Sequence, residues 1–311
     1  MLPGHAAAGD ALLQLAPDIT THDDGRAPVQ QIYAAYAPLL ERGWQLDLIT
    51  ESRPDGTDYA LPIVALRSPK AGPAAWFITG IHGEEPAGPN ALARSVNALA
   101  QLGERFPVVI VPLANPHGYV RNWRYLNVAI YSEEIDGQSV GDSSYRLLTD
   151  EGDGPRVPSG PNPEADALTR YVLETSRDYP PRYSIDLHED NLIHAGYVYS
   201  QGVAGAEDPL ASEAVSILKD NDIAIQMDGQ TRFEEDIVGG IIGPVTDSSI
   251  DELMSVREAW LDGEKVTGPG AQTVLVFETP AAHVDIEQRI RAHETLVQRL
   301  AHLVEIQSTQ K

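Results

Sequence analysis

The stretch FITGIHGEEPAGPN, Phe77 to Asn90, decides how this chain is read. It continues a short apolar run, Trp76, Phe77 and Ile78, which has the character of a buried strand. Gly80 and Gly83 then permit a tight turn, because glycine carries no Cβ to clash. Pro86 suits the first turn of a following helix. His82 and Glu85 therefore fall on a strand-to-helix corner, as His-x-x-Glu. An imidazole and a carboxylate on one rigid edge can bind a divalent metal from one side, and zinc accepts nitrogen and oxygen ligands of this kind. Two ligands do not complete a site, so the rest of the chain must supply a third and a catalytic group.

Composition narrows the options. The chain has 311 residues and an apolar content of 42%, enough to bury a sizeable core. No apolar run reaches the roughly 18 residues of a membrane span. The N-terminus lacks a basic start and a continuous apolar segment, so it does not read as a signal peptide. There is no cysteine, so any metal must use histidine and carboxylate, and a reducing cytoplasm is the expected setting. The formal net charge of −24 repels phosphate backbones and anionic membranes, which argues against nucleic-acid and membrane partners. Nothing in the sequence fixes an oligomeric state.

Working outward, residues 1–27 read as a loose N-terminal arm and residues 28–311 as one catalytic domain. Helical spacing runs over 28–42, with Pro38 set to split it. Strands are expected at 44–49 and 59–66, forming an edge hairpin around Pro54-Asp55-Gly56. Further strands are expected at 74–79, 107–113, 183–187, 197–200 and 273–277. Helices are expected at 86–102, 163–176, 208–219, 248–256 and 285–306, the last with His293 on its apolar stripe as a packing residue. His117, His194 and His283 read as structural neighbours of a site. Between 115 and 163 lies a long irregular region, of the kind that carries function. Strands alternating with helices predict a single α/β domain: a central mixed, mostly parallel sheet with helices on both faces. In such folds sites gather beyond the carboxyl ends of strands. His82, Asn115, His188 and Glu278 each follow an apolar, strand-like run.

Those positions support one chemistry. A catalytic zinc site wants three protein ligands and an open position, and His82, Glu85 and His188 fit that count for one ion. Glu189 and Asp190, next to His188, read as shaping the site rather than binding a second metal. Glu278, ending a buried strand, is the candidate general base. Arg124 or Arg121 can offer positive charge to the oxyanion of a scissile carbonyl.

The order His-x-x-Glu, then NPHGY, then Trp123-Arg124, then DLH, then a late strand ending in Glu resembles the zinc carboxypeptidases of the carboxypeptidase A-like group, in a divergent bacterial-type form. The resemblance spans about Trp76 to Pro280. It implies a metallopeptidase with His82, Glu85 and His188 on zinc, Glu278 as base and Arg124 polarising the carbonyl. It further implies that Asp142 in SVGDSS orients the first zinc histidine. Two features depart from the family. Ser144 and Tyr145 replace the Asn-Arg pair that clamps a substrate carboxylate, leaving Arg146 one place late. No tyrosine follows Tyr199, and TDSSIDEL offers Asp247 and Asp251 in the region of the family's substrate-binding tyrosine. Arg121, Tyr145, Arg146 and Asp251 are therefore the candidate substrate contacts. The expected substrate is a peptide or an acylated amino acid. Alternatives are an N-acyl amino acid deacylase of the aspartoacylase and desuccinylase type, or an inactive metal-binding relative.

Overall fold

The structure, a computed structural model, describes residues 19–309 apart from 55, 133, 143–145, 158–159 and 161. Among the described residues the strands are β1 Gln45–Ser52, β2 Leu61–Arg67, β3 Ala74–Thr79, β4 Val108–Val111, β5 Pro181–Asp190 and β6 Tyr197–Ser200. They continue with β7 Asp228–Gln230, β8 Asp236–Val238, β9 Ile241–Ile242, β10 Glu258–Leu261, β11 Glu264–Thr267 and β12 Thr273–Pro280. The helices are α1 Val29–Ala34, α2 Ala37–Glu41, α3 Ala87–Arg94, α4 Val96–Arg105 and α5 Pro116–Arg121. After them come α6 Pro163–Thr175, α7 Pro209–Asp220, α8 Ile250–Ser255 and α9 Ile286–Thr309. None of these helices is long and apolar enough to cross a membrane.

Ten strands form one sheet in the order β1-β2-β4-β3-β5-β12-β6-β9-β8-β7. Its centre, β4-β3-β5-β12, is parallel. β1 and β2 make the expected antiparallel hairpin at one edge, and β6 pairs antiparallel with β12 on the other side. The mixed sheet with helices on both faces is the predicted architecture. Side chains alternate across it with the period of two that a strand imposes. Ala75, Phe77, Ile110, Ile185, Leu187 and Phe277 enter a core shared with α1 to α4, α7 and α9. Trp76, Ile78, Val109, Val111 and Val274 enter a second core under α6 and α8. Each large side chain buried in this way contributes about 1.5–3 kcal/mol. Continuing the alternation, Asp186, His188, Asp190 and Glu278 lie on the second face, at the carboxyl end of the strands.

Local chemistry sets the boundaries. The first helix divides into α1 and α2, with Pro38 in the opening turn of α2. The helix expected over 86–102 breaks at Ser95 into α3 and α4. The region after β4 opens with α5, where Asn115 Oδ1 accepts from Gly118 N at 2.9 Å as a helix cap and Pro116 sits at its start. Asn115 is thus a capping residue. Residues 1–18 of the expected arm lie outside the described residues. Within the remainder Arg26 is buried, its guanidinium donating to Gly83 O at 2.9 Å and lying 4.9 Å from the Tyr119 ring centroid.

Two glycines make the corner after β3 possible. Gly80 turns the chain at φ +67°, where side chains other than glycine are strained. At Gly83 a Cβ would stand 1.9 Å from the Gly118 carbonyl carbon and 2.2 Å from Tyr119 N. Gly83→Ala should therefore push two backbones apart and cost about 3 kcal/mol, as an overpacked core does. Urea unfolding measures this; an unchanged midpoint would mean that the two loops separate freely.

Candidate active site

The corner delivers His82 and Glu85, and the parallel pairing of β3 with β5 brings His188 beneath them. Register places Ile78 against Asp186 and Thr79 against Leu187, so the loop leaving β3 passes over His188. All three side chains are buried. Glu85 bridges the histidines: Oε1 is 2.7 Å from His82 Nδ1 and Oε2 is 3.0 Å from His188 Nδ1. One donor atom from each of the three residues lies within 4.8 Å of the others. Each imidazole also has an outer nitrogen on an aspartate. His82 Nε2 is 2.7 Å from Asp142 Oδ2, and His188 Nε2 is 3.1 Å from Asp186 Oδ2.

The electrostatics are those of a site that wants a cation. Burial alone would lower the His82 pKa, and Arg124 pushes the same way, yet Asp142 and Glu85 together raise it to about 9. Burial opposes the charge on Glu85, but His82 and His188 outweigh it and hold the carboxyl well below the usual range. Two imidazoles whose inner nitrogens meet a shared carboxylate, with outer N–H groups available to aspartates, are a donor set that fits zinc.

Glu278 stands beside this set because β12 lies next to β5 with Glu278 opposite His188. Its Oε2 is buried and has no hydrogen-bond partner among the described residues. Burial, helped by Glu85 and Asp190 and opposed by His188 and His82, raises its pKa to about 8. Arg124 Nη1 donates to Glu85 Oε1 at 3.1 Å and to Glu84 Oε1 at 3.4 Å, and Nη2 is 3.9 Å from Asp142 Oδ2. These groups line one cavity of about 670 Å³, a size suited to a small organic ligand.

The other expected contacts divide. Asp251 lines the cavity and is buried, with Oδ1 unpartnered among the described residues. Arg146 does not line it; its buried guanidinium is bonded to Asp166 of α6. Arg121 also lies outside the lining, stacked 5.0 Å from the Trp123 ring centroid. Tyr145 lies outside the described residues. The sequence reading missed Tyr125, Tyr197, Tyr199 and Arg232 in the wall and Asp186 behind His188. The repeat Tyr197-Val198-Tyr199 was a usable signal, since alternate strand residues share a face and Tyr197 pairs with Glu278.

The four other histidines singled out in the sequence pack against neighbouring groups. His117 stacks on Tyr59 at 5.2 Å and contacts Ser52 O at 3.0 Å. His194 and His283 stack on each other at 4.0 Å. His293 is fully buried against Phe277, with Nε2 3.1 Å from Thr279 Oγ1.

The profile of a family described as zinc carboxypeptidase matches residues 45–260 of the chain. No curated protein matches its sequence. Among solved structures, a candidate metallopeptidase from Shewanella amazonensis superposes with a TM-score of 0.67 at 23% identity, covering 88% of this chain and 91% of that one. A second, from Shewanella denitrificans, has a TM-score of 0.63 at 21% identity, covering 87% and 88%. Bovine thrombin-activatable fibrinolysis inhibitor, solved with a tick carboxypeptidase inhibitor, has a TM-score of 0.57 at 16% identity, covering 91% and 98%. At these identities the likeness is one of fold.

Burial holds the His293 pKa down to about 3. The unfolded chain binds a proton there below about pH 6.5 and the folded chain does not, so stability present above that pH is lost as acid is added. At pH 5 the loss should be about 2 kcal/mol. Urea titrations at pH 7 and pH 5 should show a smaller fall for His293→Gln than for the wild type; equal falls would contradict the neutral, buried assignment.

Proposed function

The chain belongs to the zinc carboxypeptidase family, and we propose that it is a zinc-dependent hydrolase of peptide bonds. The observation that carries the reading is the convergence of His82, Glu85 and His188 donor atoms within 4.8 Å, beside a Glu278 oxygen that no group among the described residues satisfies. In this reading those three residues hold one zinc ion. When bound, zinc supplies a Lewis acid for the scissile carbonyl and lowers the pKa of water to about 7.

The chain's own residues supply the rest. Asp142 accepts the outer N–H of His82, which fixes that ring and turns its inner lone pair toward the centre, and the buried Asp186 carboxylate lies 3.1 Å behind the outer nitrogen of His188. Glu278 Oε2 takes a proton from the attacking water and delivers it to the departing amine nitrogen. Its position in a part-buried, acid-rich wall keeps the carboxyl basic enough for the first transfer and acidic enough for the second. Arg124, half-buried beside Glu85, places fixed positive charge where the carbonyl oxygen becomes negative. The family match supports peptide over N-acyl amino acid as the substrate.

Glu278→Gln should retain zinc, by elemental analysis, and lose about 10³-fold or more in kcat on blocked dipeptides. Turnover within tenfold of wild type would remove the base assignment. Asp142→Asn should bind zinc about 10- to 100-fold more weakly, read by chelator competition. An unchanged affinity would show that Asp142 does not support His82.

A further inference from the structure

Of the arginines that the sequence offers for a substrate carboxylate, Arg121 and Arg146 do not reach the cavity. Arg124 does, but Glu84, Glu85 and Asp142 already surround it. A different arginine lines the same cavity: Arg232, on the turn between β7 and β8.

This turn is a built structure. Thr231 Oγ1 accepts from Phe233 N at 3.1 Å and Glu235 N at 3.3 Å, and donates to Glu235 Oε2 at 2.7 Å. The Tyr199 hydroxyl of β6 donates to the same Glu235 oxygen at 2.8 Å, which ties the turn to the sheet. The Arg232 side chain is fixed at one corner. Its Nη1 donates to Asp190 Oδ2, and Asp190 Oδ1 accepts from Leu192 N at 2.7 Å. The side chain is 33% exposed, and among the described residues its Nε and Nη2 have no protein acceptor. Those two nitrogens form the planar edge that matches a carboxylate.

Location supports the match. Asp190 is two residues beyond His188 on the same face of β5, about 7 Å along the strand. That is about two residues of extended peptide. Resting on the peptidase reading, we propose that Arg232 is the carboxylate receptor of this cavity, so that the substrate ends in a free carboxylate one or two residues beyond the scissile bond. Asp190 is its positioning residue. The function that the family assigns to a loop arginine has passed here to the β7–β8 turn, while Arg146 has become a buried structural ion pair.

The test compares benzoyl-glycyl-phenylalanine, -lysine and -glutamate with their C-terminal amides. For the best of the three, wild-type kcat/KM should favour the free acid by about 30- to 100-fold. Arg232→Gln should bring the acid-to-amide ratio close to one, and Arg232→Lys should leave it intermediate, since lysine keeps charge without the fork. A ratio unchanged in Arg232→Gln, with both substrates slowed alike, would make Arg232 merely structural and overturn the proposal, as would a wild type indifferent to the carboxylate. If the zinc-loaded protein hydrolyses none of the six, the peptidase reading fails. Calorimetric binding of the same acids and amides to the wild type and Arg232→Gln then decides the point alone: acid preference lost in the variant supports the assignment, and no preference overturns it.

Discussion

Everything at this site depends on one carboxylate shared between two imidazoles. Glu85 gives one oxygen to His82 and the other to His188. Burying charged groups costs several kcal/mol apiece unless each is paired and hydrogen-bonded. Here Arg124 and the Glu189 backbone N–H also reach the Glu85 oxygens, at 3.1 Å each. The arrangement can exist only if the corner after β3 lies over the end of β5. The sequence secures that with a strand buried along its whole length, a left-handed glycine at position 80 and a second glycine that lets α5 approach at position 83. A parallel neighbour relation between β3 and β5 does the rest.

Consecutive residues of β5 divide the work between the two faces of the sheet. His188 faces the cavity, and Glu189 faces away, where it is buried and ion-paired with Arg289 of α9. Its other oxygen accepts from Ala87 N at 2.6 Å, at the start of α3. A negative group at that helix end satisfies an orphan donor and complements the helix dipole. Because Glu85 immediately precedes this helix, Glu189 anchors from behind the same segment that Glu85 presents in front. The acid-rich DLHED run thus has two structural reasons. Asp186 and Asp190 share the His188 face, one behind its ring and one holding Arg232, while Glu189 buttresses α3 from the opposite face.

Most of the architecture and the centre of the site were legible in the sequence, and the reason is burial. Continuous apolar runs at 74–79, 107–113 and 273–277 announce central strands, and polar residues at their ends announce a site. Legibility fails where burial does. Residues 228–230 are wholly exposed, so β7 carries no apolar signal, and Arg232 beyond it had no context. The break at Ser95 falls inside an uninterrupted amphipathic pattern. Asn115 looked like a site residue because a cap and a ligand both follow strands; only the bond from Gly118 N separates the two. Arg146 looked available because its partner, Asp166, lies 20 residues away on another helix.

The wall of the cavity carries seven carboxylates, from Glu85, Asp142, Asp190, Glu235, Asp247, Asp251 and Glu278, against the arginines Arg124 and Arg232. Such a wall repels an anion almost everywhere, and the chain's net charge of −24 adds to that at longer range. A substrate carboxylate is therefore admitted only where a fixed cation and a matched geometry coincide, since a loosely held charge would be claimed by the neighbouring acids. Arg232 meets that condition because Asp190 occupies one corner of the guanidinium and leaves a fork open. The same acidity has a second effect. Together with burial it raises the pKa of Glu278, the residue proposed to accept and release a proton. In the proposed reading, discrimination and proton transfer draw on a single property, an excess of negative charge interrupted at a few fixed points.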